Sequence, residues 1–376
     1  MPPTVTRRSL IALSAWAGAG LAGEAAPDSE WRGYPNALAI DACGTLGDSQ
    51  FEPPAPLPGS AISDARAARL AGLAITVGPV GTTPPEAAYA HTVDAVAFWE
   101  AQISEHPDVL VAIRSPGDLA VARRAGRTGI IYALQDAVSF ETEPSRLESL
   151  YALGLRVIQL TYNGRNLLGD GCLEPANAGL SRAGFAAVER MNALGILVDL
   201  SHCGRRTSAD ALGASRRPVA FTHTGCDALD PHPRNRSDEE LRRVAQSGGV
   251  AGIYVMPYLN QGHQPHASDV IRHIEHAWQV MGEDHVGIGS DGGVSPELVT
   301  PQYREAFAAS LARRRAAGIS APGEQEDGYT FAADLNTPHR LAVLAGMLSA
   351  RGHSDQRLGK LLGANWLRLY RDTWRA

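Results

Sequence analysis

Short apolar runs alternate with amphipathic stretches along most of this chain. The runs lie at residues 37–43, 74–80, 109–114, 128–136, 155–163, 195–202, 218–223, 249–256 and 286–290. Each is short, rich in β-branched residues and bounded by Gly, Pro or polar residues, the mark of a strand buried on both faces of a parallel sheet. Between them, residues 61–73 carry arginines along one helical face, and 86–104 form a longer helical pattern. Residues 116–125 begin with Pro116, while 145–153 and 182–194 are stopped by Gly154 and Gly195, the usual helix punctuation. Further helices are expected at 207–214 and 269–281, and one opens at Ser237-Asp238-Glu239-Glu240 with a capping-box pattern. Two or three more occupy 337–374. Repeated strand-helix units give either an open doubly wound sheet or a closed barrel. About eight strands over roughly 260 residues predict the (β/α)8 (TIM) barrel, an α/β fold with extra C-terminal helices. No P-loop appears, which weakens the nucleotide-binding alternative.

Two runs stand out because each ends in histidine: Gly195-Ile196-Leu197-Val198-Asp199-Leu200-Ser201-His202 and Pro218-Val219-Ala220-Phe221-Thr222-His223. In a parallel barrel the carboxyl ends of the strands carry the site. Two neutral imidazoles on adjacent strands make a natural zinc pair, set against two buried, backbone-bonded histidines. Asp291, in Gly289-Ser290-Asp291-Gly292-Gly293, ends the last barrel strand, where a carboxylate can bind a metal or move a proton; an Asx-turn is the plainer alternative. Gln135 can offer a metal its carbonyl oxygen but no charge, and Asp136 beside it can cap the next segment. Arg234 suits a substrate carboxylate; an ion pair to Asp238 or Glu239 is the competing reading. Tyr162 and Asn163 end the run at 155–163 and can reach the same pocket, or the tyrosine can simply pack.

The composition, 44% hydrophobic and 20% charged with no low-complexity tract, is that of a globular enzyme. A formal charge of −6 leaves no electrostatic footprint for nucleic acid. Residues 1–26 read as a Tat-like signal peptide: Thr6-Arg7-Arg8-Ser9-Leu10 precedes a short Ala/Gly-rich apolar segment. That segment is too short for a stable membrane span, and a periplasmic or secreted protein follows, with residues 27–376 as one domain. Export makes Cys43, Cys172, Cys203 and Cys226 candidates for disulfides, with buried free thiols expected for at least two of the four.

From residue 37 to residue 374 the chain resembles the membrane (renal-type) dipeptidases, peptidase family M19. The likeness is densest in Gly179-Leu180-Ser181, in residues 191–202 and 218–224, and in His232-Pro233-Arg234-Asn235 with Asp238. It continues through Gly248-Gly249-Val250 and His285-Val286-Gly287-Ile288-Gly289-Ser290-Asp291 to Leu361-Leu362-Gly363-Ala364-Asn365-Trp366-Leu367-Arg368. The resemblance implies a zinc (β/α)8 hydrolase of dipeptides. His202 and His223 would hold one zinc with a bridging glutamate, Arg234 would bind the substrate carboxylate, and Asp291 would serve the other metal and the catalytic water. The family's His-x-Asp pair falls on Cys43 and Thr45, its bridging glutamate on Gln135, and a further histidine on Tyr162.

Two imidazoles, one amide and one carboxylate suffice for one zinc but not for two, because four positive charges need several carboxylates. Cys43 could act as a replacement thiolate ligand. The expectation is therefore an exported, mono-zinc dipeptidase-like hydrolase of a small peptide or amide, with ringing helices that could form a homodimer face. The alternatives are a tailoring enzyme acting on a peptide-derived metabolite and a non-catalytic binding protein on the same scaffold.

Overall fold

The computed structural model describes residues 30–47, 56–81, 83–325 and 328–374; the signal-peptide reading of residues 1–26 lies outside them. Strands follow in chain order as β1 (Ile40–Asp41), β2 (Gly44–Thr45), β3 (Gly72–Thr76), β4 (Leu110–Ala112), β5 (Thr128–Leu134) and β6 (Leu155–Gln159). They continue as β7 (Leu197–Asp199), β8 (Ala220–Thr224), β9 (Val250–Ile253), β10 (Val286–Ile288) and β11 (Gly292–Gly293). Every pairing between them is parallel, and neighbours run β1-β3-β5-β6-β7-β8-β9-β10. The ends of this path meet. Ala42 N donates to Ile288 O at 3.1 Å, and just beyond, β2 pairs with β11. The result is the (β/α)8 barrel that the pattern predicts. One expected stave is not part of it: the run at 109–114 supplies only β4, which pairs with the first residues of β5 outside the barrel path.

Alternation along the strands divides the core in two. One side-chain set, with Ile75, Ile130, Tyr132, Ile158 and Val198, belongs to the core layer shared with the helices. The other set, with Ile40, Ala74, Ile131, Ala133, Val157, Leu197, Ala220 and Val250, clusters with Trp366, Leu369, Tyr370 and Trp374 of the last helix, Asn365–Thr373. Small residues on the strands thus leave room that the C-terminal aromatics fill. Trp366 is fully buried, and its Nε1 donates to Ile288 O at 3.1 Å. Gly287 makes that possible, since a Cβ there would stand 2.3 Å from the indole nitrogen.

Helix limits follow local chemistry. Pro116–Ala125 starts at Ser115 with a full capping box, and Arg182–Leu194 ends at Gly195 in the left-handed region (φ 81°). The helix Pro301–Ala316 was not expected. It buries only Phe307 and Leu311, so no apolar stripe announces it. Among the described residues no helix is long and apolar enough to cross a membrane.

Truncating the aromatic plug tests this account of the barrel. Trp366→Ala should lower unfolding free energy by about 3–5 kcal/mol in urea denaturation; a loss under about 1 kcal/mol would show that Trp366 does not seal the barrel.

Candidate metal centre

His202 lies three residues past β7 and His223 within β8, so the parallel ladder brings both imidazoles to one end of the barrel. Their Nε2 atoms are 2.9 Å apart. The groups behind each ring determine where its proton sits. Asp199 accepts hydrogen bonds from Ser201 N (3.0 Å), Ser201 Oγ (2.5 Å), Thr222 N (3.0 Å) and Thr222 Oγ1 (2.6 Å). The Thr222 hydroxyl has one proton and gives it to Asp199, so at 2.8 Å the His223 Nδ1–H donates to Thr222 Oγ1. His202 Nδ1–H likewise donates to Asn163 Oδ1 at 2.6 Å. Both Nε2 atoms are then bare lone pairs facing each other, a repulsive contact that only a cation relieves. Burial, reinforced by the charge of Arg234, holds both imidazoles well below their ordinary pKa, which disfavours a proton in that role. The donor set therefore fits a metal ion.

A second set adjoins it. Ligand atoms of Cys43, His223 and Asp291 all lie within 4.8 Å of one another. The Cys43 thiol donates to Asp291 Oδ1 at 3.7 Å and receives Gln135 Nε2 at 3.2 Å. Gln135 thus meets the cluster through its amide nitrogen, which cannot ligate, rather than through the expected carbonyl oxygen. Burial, with Asp291, Asp41 and Asp199 nearby, pushes the Cys43 thiol well up. Burial likewise pushes Asp291 up to about 6 against the pull of Arg234. Asp291 has φ 57°, rare for a side chain with a Cβ, and its N–H is tied to Cys43 O at 2.7 Å. Thr45 stands in the β2–β11 ladder, with its carbonyl accepting Val294 N at 2.8 Å.

Arg234 is buried, its Nη1 donates to Ser201 O, and its Nη2 has no partner among the described residues. Among the described residues it makes no ion pair; Asp238 instead pairs with Arg242 (3.5 Å) and His276 (2.7 Å). Tyr162 stacks on His202 with ring centroids 4.2 Å apart. Asp136 does cap, accepting Ala137 N at 2.8 Å, and it also accepts Gly81 N (2.9 Å) and Asn166 Nδ2 (2.8 Å). All four cysteines are free thiols, so none of the candidate disulfides forms and the buried-thiol reading applies to Cys43, Cys203 and Cys226, with Cys172 half-buried.

Sequence reasoning missed Asp199, although its place two residues after Leu197 puts it on the same face of the strand. It also missed Arg314, on the unexpected helix. Arg314 pairs with Glu324, and its charge is felt at Tyr162, Asp291 and His202. The segment after that helix lies over the site: Asn163 Nδ2 donates to Ile319 O (2.7 Å) and His232 Nε2 to Pro322 O (3.0 Å).

Fold and side chains together define a (β/α)8 protein with a metal-ligand cluster at the carboxyl ends of its strands. Residues 63–321 match the family described as membrane dipeptidase (peptidase family M19). The chain belongs to that family. It is 34% identical over 191 residues to the Dipeptidase verJ of Clonostachys rogersoniana, covering 50% of this chain and 49% of that protein. The chain thus spans about half the length of that curated relative. An uncharacterized protein in the pqqA 5′ region of Klebsiella pneumoniae is 28% identical over 271 residues, 69% of this chain and 88% of that one. Among solved structures, an amidohydrolase from Pseudomonas aeruginosa superposes with TM-score 0.76 at 29% identity, covering 91% of this chain and 98% of that one. A metallo peptidase from Rhodobacter sphaeroides, liganded with a phosphinate mimic of the dipeptide L-Ala-D-Ala, shares the fold. It superposes with TM-score 0.72 at 18% identity, covering 90% and 99% of the two chains.

Two measurements check this geometry. Asn163→Ala frees the His202 ring and should weaken zinc binding about 10–100-fold in competition titrations with a chromophoric chelator; unchanged affinity would refute the orienting role. Burial raises the Asp136 pKa to about 6. A carboxyl whose folded pKa exceeds its unfolded value near 4 stabilises fully below about pH 4 and loses that contribution as pH rises through 6. The stability of the metal-free protein relative to Asp136→Asn should therefore fall by about 1–3 kcal/mol between about pH 4 and 7. A difference that does not vary with pH would contradict this.

Proposed function

We propose that this chain is an exported hydrolase that cleaves a dipeptide or a similarly small amide with one zinc ion. The observation that carries the reading is the pair of facing imidazole lone pairs, one of which, on His223, also lies in a ligand cluster with Asp291. Family membership supports the dipeptidase chemistry. The twin arginine Arg7-Arg8 before an apolar segment supports export. The single ion is supported by the charge balance, since Thr45 and Gln135 stand where a second ion would need carboxylates.

His202, His223 and Asp291 would hold the ion. When bound, zinc supplies Lewis-acid polarisation of the scissile carbonyl and of the attacking water. Asp291 can take a proton at a carboxylate oxygen and give it to the leaving amine. Arg234 keeps Nη1 on the Ser201 carbonyl and turns the unpaired Nη2 to the substrate carboxylate. Tyr162, stacked on His202, shields that face of the imidazole from water.

The test is a zinc-loaded protein assayed on a panel of dipeptides and their C-terminal amides, with released amino acids read by mass spectrometry. Dipeptides should be cleaved, and His223→Ala should abolish the cleavage. Arg234→Ala should cut kcat/KM for free-carboxylate substrates at least about thirtyfold, while leaving the amides nearly unchanged. Zinc bound without turnover of any substrate would overturn the hydrolase and leave a binding scaffold.

A further inference from the structure

The charge of a divalent ion is only half balanced by the ligands named so far. His202 and His223 are neutral, Asp291 brings one negative charge, and neither Thr45 nor Gln135 brings any. One more group in the cluster has a ligand atom that can become anionic, and it is the Cys43 thiol. Its Sγ lies 3.7 Å from Asp291 Oδ1. With zinc–sulfur near 2.3 Å and zinc–oxygen near 2.0 Å, two ligands of one tetrahedral ion stand about 3.5 Å apart. His223 belongs to the same cluster of three. Gln135 Nε2 points its N–H at the sulfur from 3.2 Å, and a sulfur with negative charge accepts such a bond more strongly than a neutral thiol.

We propose that Cys43 ligates the ion as a thiolate, next to His223 and Asp291, with Gln135 as an N–H···S donor to the ligand rather than a ligand. This rests on the metal reading above. On binding, the S–H bond breaks, its proton leaves to solvent and the sulfur electron pair goes to the cation. Thiolate and carboxylate then offset both positive charges, and zinc, which takes five ligands as well as four, keeps a position for the attacking water beside the four side chains. The substitution pattern in this pocket becomes coherent: one sulfur replaces the charge that Thr45 and Gln135 do not carry.

Cobalt(II) substitution of the full-length protein tests it without relying on activity. Wild type should show visible d–d bands and a near-ultraviolet thiolate-to-cobalt charge-transfer band. Cys43→Ser should lose the charge-transfer band, whereas Cys172→Ser, Cys203→Ser and Cys226→Ser should keep it. Far-ultraviolet circular dichroism confirms that each variant is folded. X-ray absorption of the zinc-loaded wild type needs no variant and should show a sulfur scatterer at about 2.3 Å. Bound metal with no sulfur signature, or a charge-transfer band that survives in Cys43→Ser, overturns the thiolate and leaves the histidine site intact. No metal bound by the wild type overturns both readings.

Discussion

Asp199 accepts four hydrogen bonds beneath the two imidazoles, and the chemistry above it depends on that. A hydroxyl has a single proton to give. Once Thr222 gives its proton to Asp199, its oxygen can only accept, so the His223 proton is held on Nδ1 and its Nε2 is left bare. Asn163 imposes the same state on His202. Neither ring can escape by switching tautomer without stranding a buried donor or acceptor, which costs about 1–3 kcal/mol. The repulsion between the two lone pairs is therefore built into the fold and awaits a cation. Arg234 and burial bias the choice against a proton. A divalent ion, whose charge overcomes what an imidazolium could not, resolves the contact.

The sequence disclosed the barrel because its helices are cut by strong local signals. Pro116, Gly154 and Gly195 mark limits that tertiary packing did not move by more than a residue. Strand ends were less legible. The run at 155–163 yields only β6, because Leu160 to Asn163 leave the ladder to serve the site, and apolar content does not distinguish the two uses. The run at 109–114 reads as a stave, yet β4 lies off the barrel path; periodicity shows that a strand is buried, not which neighbour it finds. Pro301–Ala316 failed for the opposite reason, since alanines and arginines make a helix without a stripe. Arg314 was lost with it.

Site residues divided along a similar line. His202, His223, Asp291, Arg234 and Tyr162 were singled out because each ends or follows a predicted strand, where a parallel barrel builds its site. The structure brings them together. The groups that orient them were not legible. Asp199 looks like any strand residue until Thr222 and Ser201 are seen to converge on it, and that convergence depends on the register between β7 and β8. Gln135 shows the limit differently: sequence gave its residue type and strand end, but not which end of the amide faces Cys43.

Cys43 and Asp291 follow the first and last staves of the barrel, 248 residues apart, and they meet where it closes. The contacts that bring them together also close the fold. Asp41 accepts Ser290 N at 2.7 Å and Ser290 Oγ at 2.5 Å, and Asp291 N donates to Cys43 O at 2.7 Å. Asp41 is fully desolvated there, and burial raises its pKa despite the Ser290 hydrogen bonds. The seam thus carries a buried acid, a left-handed aspartate and a sulfur–carboxylate contact, all features that weaken a joint in isolation. A cation beside them reverses the sign of each electrostatic cost, because buried negative charge becomes favourable once a positive partner is present. Such an ion would also clamp the first and last staves together. The metal site and the closure of the barrel are then one piece of physics: an unfolded chain cannot hold the two ends in register, so binding free energy appears as stability of the seam.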